Sequence, residues 1–70
     1  MTIETLADGL PKEMARVRDE VMPPYIAIGA SGMFALAMMR NDLDEAAQAM
    51  AQGDVVAMLR AYHKLKEYEA

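Results

Sequence analysis

The chain has 70 residues, enough for one domain, and it contains no cysteine, which excludes disulfides and thiolate metal sites. A domain this small buries only about 60% of the surface that its unfolded chain exposes, so closely packed helices or self-association must stabilise it. The formal net charge of −4 argues against nucleic acid or an anionic membrane as a partner.

The amino-terminal third has the pattern of an amphipathic helix. Thr2 is placed to cap a short first turn. One narrow apolar stripe then recurs at helical spacing, and it consists of Leu10, Met14, Val17 and Val21. We predict two helical pieces separated near Gly9, with Pro11 at the first position of the second piece. A single kinked helix over Ile3–Val21 is the alternative.

The next stretch, Val21–Met39, contains no charged residue. We expect Pro23-Pro24 to end the first helix, because a residue before proline is pushed towards an extended conformation. The run Gly29–Gly32 is the next predicted joint, and Ser31 is a candidate N-cap for the helix that follows. This whole stretch must be covered by the rest of the chain or by a partner.

The same stretch does not have the length of a membrane span. Its part after the two prolines, Tyr25–Met39, covers roughly 22 Å as a helix, whereas the hydrocarbon core of a bilayer is about 30 Å thick. The first residues also lack the basic and apolar regions of a secretory signal. We therefore expect a cytoplasmic protein without a membrane partner.

A long helix is predicted from Gly32 to Gln52. Its apolar positions step by three and four without a slip, and they are Leu36, Met39, Leu43, Ala46 and Met50. The segment Asp42–Glu45 resembles a capping box and would favour a new helix start there. We favour continuity, because a break would usually lose the register of the stripe.

A helical hairpin is predicted to close the fold. Gly53 suits the end of the long helix, and Asp54 suits the N-cap of a last helix that runs to about Tyr68. The apolar stripe of that helix is Val55, Met58, Leu59, Tyr62 and Leu65. A two-residue joint makes the two helices neighbours. The sequence thus predicts a single all-α domain over residues 1–70, with a helical hairpin plus an N-terminal helix, which self-associates.

Two helix openings in this pattern resemble a known kind of protein. Gly32-Met33-Phe34 opens the long helix, and the run Gly53–Met58 opens the next. Together they are similar to small uncharacterised α-helical open reading frames of bacteria and their prophages. The resemblance implies a phage or accessory gene, and it brings no activity and no site residue with it.

No residue set in the sequence predicts catalysis, a metal or a cofactor. The only histidine, His63, has Glu67 four residues later, which is the spacing of an ordinary pair on an exposed helix face. Asp42 and Asp44 point about 160° apart on one helix, so a single ion would not bind both. We interpret the acids as a solvated face and expect neither an enzyme nor a metal site.

The alternative function is that of a helix-turn-helix-like, nucleic-acid-binding regulator. The last helix would then present Arg60, His63, Lys64 and Glu67 to DNA. Against it, the joint of two residues is shorter than the usual turn of three or four, and Asp54 would bring negative charge towards phosphate.

Phe34 and Met38 are the candidate partner-binding residues. On a continuous helix, Met38 lies away from the stripe of Leu36 and Leu43, one turn after Phe34. The first half of that helix is therefore apolar on all sides. Cover would come either from the segments Leu6–Val21 and Tyr25–Ile28 of the same chain, or from a second copy or another protein. We predict a non-enzymatic protein-interaction module that forms a homodimer.

Overall fold

The computed structural model describes residues 5–69, which fold into helices with no strand among them. The elements in chain order are α1 (Leu6–Arg16), a π-helical segment (Val17–Val21), α2 (Met22–Ala27), a 3-10 helix (Gly29–Gly32), α3 (Met33–Gln52) and α4 (Val55–Lys66). The predicted all-α fold of three helices is confirmed, since α1, the π segment and α2 follow one another without a break. The Thr2 cap lies outside the described residues.

The first helix does not break at Gly9, so this prediction is wrong. Thr5 caps α1 by accepting a hydrogen bond from the backbone N–H of Asp8, with 3.3 Å between nitrogen and oxygen. Gly9 is buried inside α1, and Pro11 lies in the helix interior rather than at a new start. Burial of Leu10 and Val17 on a continuous stripe outweighs the one backbone hydrogen bond that Pro11 removes.

Pro23-Pro24 does not end the helix either. Met22 has α-helical angles (φ −62°, ψ −41°), and its N–H bonds to the carbonyl of Val17, five residues back. This π-type turn adds one residue to the helix just before the two prolines. The prolines then occupy the first turn of α2, where a missing N–H costs little. Helices commonly bend at a π turn or at proline. On the two sides of this turn, α1 packs on α4 and α2 packs on α3.

The predicted joint at Gly29–Gly32 is confirmed, although Ser31 is not a cap. Gly29 has a left-handed φ of +68° and leads into the 3-10 helix, and Gly32 is the N-cap of α3 without a side-chain hydrogen bond. Gly32 is buried against the backbone carbonyl of Tyr25, with no room for a Cβ atom between them. This close approach holds α2 against the start of α3.

The hairpin forms as predicted. α3 is continuous through Asn41 and Asp42, and Gly53 ends it with a left-handed φ of +67°. The Asp54 carboxylate accepts the N–H of Ala57 at 3.1 Å and so caps α4. The last helix ends at Lys66, two residues before the predicted end.

The core lies between α1, α3 and α4. Among residues 5–69, eleven apolar residues are buried: Leu10, Val17, Val21, Met22, Leu36, Met39, Ala46, Ala49, Met58, Ala61 and Leu65. The stripes of the first helix and of α3 are confirmed. The stripe of α4 is partly wrong, because Val55 and Leu59 are exposed and Ala61 is buried in their place. α4 packs on both α1 and α3, and the small side chain of Ala61 allows this close approach.

Polar contacts tie the chain end to the first helix. The guanidinium of Arg16 donates to the carbonyl oxygens of Leu65 at 2.9 Å and Lys66 at 3.4 Å, which satisfies the last turn of α4. The hydroxyl of Tyr25 donates to the carbonyl of Glu69 at 3.3 Å. Within residues 5–69, no helix has both the length and the apolar character needed to cross a membrane.

Candidate interaction surface

Large apolar side chains remain exposed in two parts of the surface. The first, here named the α2–α3 patch, consists of Ile26, Ile28, Met33, Phe34 and Met38. The second, the α4 patch, consists of Val55, Val56 and Leu59. The α2–α3 patch lies wholly within the stretch that has no charged residue, whereas Arg60 and His63 follow the α4 patch on the same helix.

The α2–α3 patch is exposed because α3 is longer than the helix that pairs with it. At a rise of 1.5 Å per residue, the 20 residues of α3 span roughly 30 Å and the 12 residues of α4 roughly 18 Å. Pairing begins at the Gly53 joint, so α4 ends well before the start of α3. α2 and the 3-10 helix, which directly precede α3, pack on it and leave Phe34 and Met38 about half exposed or more.

The two predicted partner-binding residues lie one turn apart at this uncovered end. Phe34 is 66% exposed and Met38 is 49% exposed. Full cover by the segments Leu6–Val21 and Tyr25–Ile28, one of the two predicted outcomes, is therefore wrong. Tyr25 packs against the core instead, and Ile26 and Ile28 are themselves more than half exposed.

An open cleft adjoins Met38 between α3 and the end of the chain. Its volume is about 410 Å³, and it is lined by Met38, Asp42, Lys64, Glu67 and Tyr68. The Tyr68 hydroxyl donates a hydrogen bond of 2.5 Å to Oδ2 of Asp42. The Lys64 ammonium lies 4.0 Å from the other Asp42 oxygen and 3.1 Å from Oε2 of Glu45.

The interpretation of the acids as a solvated face is wrong for Asp42, which is buried. Its residue is only 8% exposed, whereas Asp44 and Glu45 are exposed as expected. A buried carboxylate needs partners, and Tyr68 and Lys64 provide them. The sequence contains no signal for this contact, because Tyr68 lies 26 positions later and beyond the predicted helix stripe.

These contacts change the protonation of two groups. Burial, together with the hydrogen bond to the Asp42 carboxylate, raises the pKa of Tyr68 far above its ordinary value of 10.0. The hydrogen bond and the positive charge of Lys64 lower the pKa of Glu45. The cleft therefore keeps a neutral phenol beside an ion pair, and Glu67 and the apolar side chain of Met38 complete its lining.

The other sequence candidates are not brought together into a site. His63 is exposed and contacts the ring of Tyr62 edge-on, at 5.9 Å between ring centroids. Within residues 5–69, no group of three or more His, Asp or Glu side chains is placed to hold a metal ion. Asp42 and Asp44 point to opposite sides of α3, one buried and one exposed.

The residues of the helix-turn-helix alternative lie on one helix but are not all available. Arg60, His63 and Glu67 are exposed on α4, whereas Lys64 bonds to Glu45. A shallow polar groove between α3 and α4 includes Arg60 and Lys64 in its lining. A helical hairpin is compatible with this function and with a protein-interaction function. No family model, curated protein or solved structure matches this chain.

Proposed function

We propose that this protein is a non-enzymatic protein-interaction module that acts in the cytoplasm as a homodimer, with the α2–α3 patch as its contact surface. One observation carries the proposal. Phe34 and Met38 are 66% and 49% exposed in an uncharged stretch, where no other part of residues 5–69 covers them fully. Contiguous apolar surface of this kind on a small protein is typical of an interaction site.

The total surface supports a missing partner. The solvent-accessible surface is 4790 Å², whereas a monomer of 7.7 kDa is expected to have about 4,300 Å². The chain therefore exposes roughly a tenth more surface than a compact monomer of its mass would. The Cα radius of gyration of 12.5 Å agrees, since about 11 Å is expected for 70 residues.

The apolar gain is sufficient for a moderate affinity. Full burial of a large apolar side chain stabilises by roughly 1.5–3 kcal/mol, so the half still exposed on each patch residue is worth roughly 1 kcal/mol. A symmetric dimer buries the five residues of both copies. That gain, about 10 kcal/mol in all, exceeds the lowest association cost of about 4 kcal/mol by about 6 kcal/mol, which corresponds to a dissociation constant of about 40 μM.

The distribution of charge favours a second copy as the partner. Each chain carries a net charge of −4, so a contact between charged surfaces of two copies would be repulsive. The α2–α3 patch avoids this repulsion because no residue of Val21–Met39 is charged. Arg40 and Asp44 follow at the rim, as in interfaces with an apolar centre and a polar edge.

Sedimentation equilibrium tests the proposal. We expect a wild-type dimer, and a melting temperature that rises with protein concentration. Met38→Glu should give a folded monomer, since it places a charge at the centre of the contact. Leu59→Glu is the matched control: Leu59 is 47% exposed but belongs to the α4 patch, so this variant should remain a dimer. A wild-type monomer at about 1 mM, well above a dissociation constant of about 40 μM, contradicts the proposal.

The helix-turn-helix alternative predicts a different outcome. Because Lys64 is paired and the bases of α4 are flanked by Asp54, Glu67 and Glu69, we expect no tight binding to duplex DNA at physiological salt. Fluorescence anisotropy with a DNA library measures this. Sequence-specific binding near 10⁻⁸ M, the scale of specific complexes, would favour the regulator over the interaction module.

A further inference from the structure

Each copy carries both a protruding ring and a cleft on the same side of α3. Phe34 lies one helical turn before Met38, and residues four apart on a helix are neighbours on its surface. Met38 is at once part of the α2–α3 patch and the apolar wall of the cleft that Asp42 and Tyr68 close on the other side. A volume of about 410 Å³ lies in the range of sites that accept a small ligand or a large side chain.

In a dimer with a two-fold axis, the ring of each copy can meet the cleft of the other copy. Suppose that two α3 helices pack antiparallel, with the axis crossing between Phe34 and Met38, at the height of Leu36, whose own side chain is buried in the core. Residues equally far before and after that point then lie opposite one another, so Phe34 of each copy faces Met38 of the other. Contact between a methionine sulfur and an aromatic ring is favourable in itself.

The charges along this face of α3 distinguish the antiparallel from the parallel orientation. After Phe34 and Met38, the same face continues with Asn41 and then Glu45, which is ionised and bonded to Lys64. A parallel pair would bring Glu45 towards Glu45 of the second copy. An antiparallel pair brings it towards the uncharged residues that precede α3, and it also opposes the two helix dipoles.

We propose, on the basis of the homodimer proposed above, that the second copy packs antiparallel on α3 and that its Phe34 enters the cleft beside Met38, Asp42 and Tyr68. The cleft is then a binding site for an aromatic side chain, and it is complete only in the dimer. Two such contacts form, one on each side of the axis. Tyr68 positions the cleft wall through its hydrogen bond to Asp42 and contacts the incoming ring.

Disulfide trapping tests the orientation, and the chain suits it because it has no cysteine of its own. Two single variants, Phe34→Cys and Met38→Cys, are mixed in equal amounts and oxidised, and the products are identified by intact mass. Both positions are about half exposed or more, so the variants should fold as the wild type does, which circular dichroism checks. Ala47→Cys, at an exposed position in the second half of α3, is the control for random collision.

The products separate the two proposals. The antiparallel contact predicts the mixed Phe34→Cys/Met38→Cys disulfide as the main product, with each self-disulfide at the level of the Ala47→Cys control. Self-disulfides at both positions show a parallel dimer, which overturns the orientation and leaves the homodimer intact. Control levels for every product, together with dimers in sedimentation, place the contact elsewhere and contradict both proposals. Monomers in sedimentation contradict the homodimer itself.

Matched truncations test the entry of Phe34 into the cleft. Phe34→Ala should weaken the dimer at least tenfold, since an aromatic side chain in a pocket at the centre of an interface carries much of the affinity. Leu59→Ala is the control: Leu59 is 47% exposed, but it belongs to the α4 patch and lies outside the proposed contact. Its dimer should weaken by less than about threefold. Equal losses in the two variants would mean that Phe34 does not occupy the cleft.

Discussion

The two halves of α3 are parts of one uninterrupted helix, yet they have different surroundings. The second half has apolar residues on one side, which α1 and α4 cover, and polar residues on the other. The first half is apolar on all sides, and its Met33, Phe34 and Met38 remain exposed. In so small a domain, a turn of a helix is buried only where a neighbouring helix extends far enough to pack on it. α4 ends before it reaches the first half of α3.

Asp42 lies at the boundary between the two halves. It is buried because the chain end folds back across it and Tyr68 donates to its carboxylate. On one side of this contact lies the closed core of the hairpin, and on the other the open cleft beside Met38. Substitutions in each half, and at the contact between them, should therefore lower the stability by different amounts.

The largest loss of stability is expected at the anchor of the first half. Gly32→Ala adds a Cβ atom where the carbonyl of Tyr25 already lies, so α2 must shift from the start of α3. We expect a loss of about 2–3 kcal/mol in the free energy of unfolding, measured by urea denaturation. Ser31→Ala, at the exposed neighbouring position, is the control and should change the stability little. A Gly32→Ala variant as stable as the wild type would mean that the two helices do not approach so closely.

The second half depends on the left-handed joint of the hairpin. Gly53→Val places a β-branched residue at a φ of +67°, which should cost about 2 kcal/mol. Gly53→Asn is the matched variant, because asparagine adopts this conformation more readily, and it should lose clearly less. Thermal unfolding of both variants measures the difference. Equal stability of the valine variant and the wild type would argue against the turn at this position.

The boundary contact is tested by Tyr68→Phe. Loss of the hydroxyl leaves the buried Asp42 carboxylate without its donor, which we expect to cost about 1–1.5 kcal/mol. Tyr62→Phe is the control, since the Tyr62 hydroxyl makes no hydrogen bond within residues 5–69 and its ring contacts remain. Similar losses in both variants would show that the ring of Tyr68, and not its hydroxyl, stabilises the fold.

The same contact predicts a dependence on alkaline pH. The pKa of Tyr68 is higher in the folded chain than its ordinary value of 10.0, so the folded state binds a proton that the unfolded state has lost above that pH. The stabilisation is therefore complete below about pH 10 and falls as the pH rises further. Urea unfolding at a series of pH values should show a steeper alkaline loss for the wild type than for Tyr68→Phe.

The smallest effect is expected at the cap of α4. Asp54→Ala removes the acceptor for the N–H of Ala57, and the loss should be about 1 kcal/mol. Asp44→Ala removes an acid from an exposed helical position and is the control for charge, with little change expected. If the two alanine variants were equally stable, Asp54 would not act as a cap.

Local signals in the sequence were enough to predict the long helix α3 and the hairpin that follows it. Gly53 and Asp54 are local signals, because a left-handed glycine and an N-cap act on the hydrogen bonds of their own turns. The unbroken stripe predicted a continuous α3 for a similar reason, since helical periodicity is a property of neighbouring residues. Phe34 and Met38 were identified from the same periodicity as residues that the α3 stripe does not bury.

Other features of the fold depend on contacts between residues that are distant in the sequence, and local signals do not predict them. The helix continues through Gly9 and Pro23-Pro24 because burial of Leu10, Val17 and Val21 outweighs unfavourable local propensities. A π turn just before the two prolines accommodates the backbone N–H groups that they lack. α4 buries Ala61 rather than Leu59 because two helices approach it at once. Phe34 is exposed because α4 ends before it reaches the start of α3, and Asp42 is buried because Tyr68 lies against it. Both depend on residues far away in the sequence, about which the local periodicity carries no information.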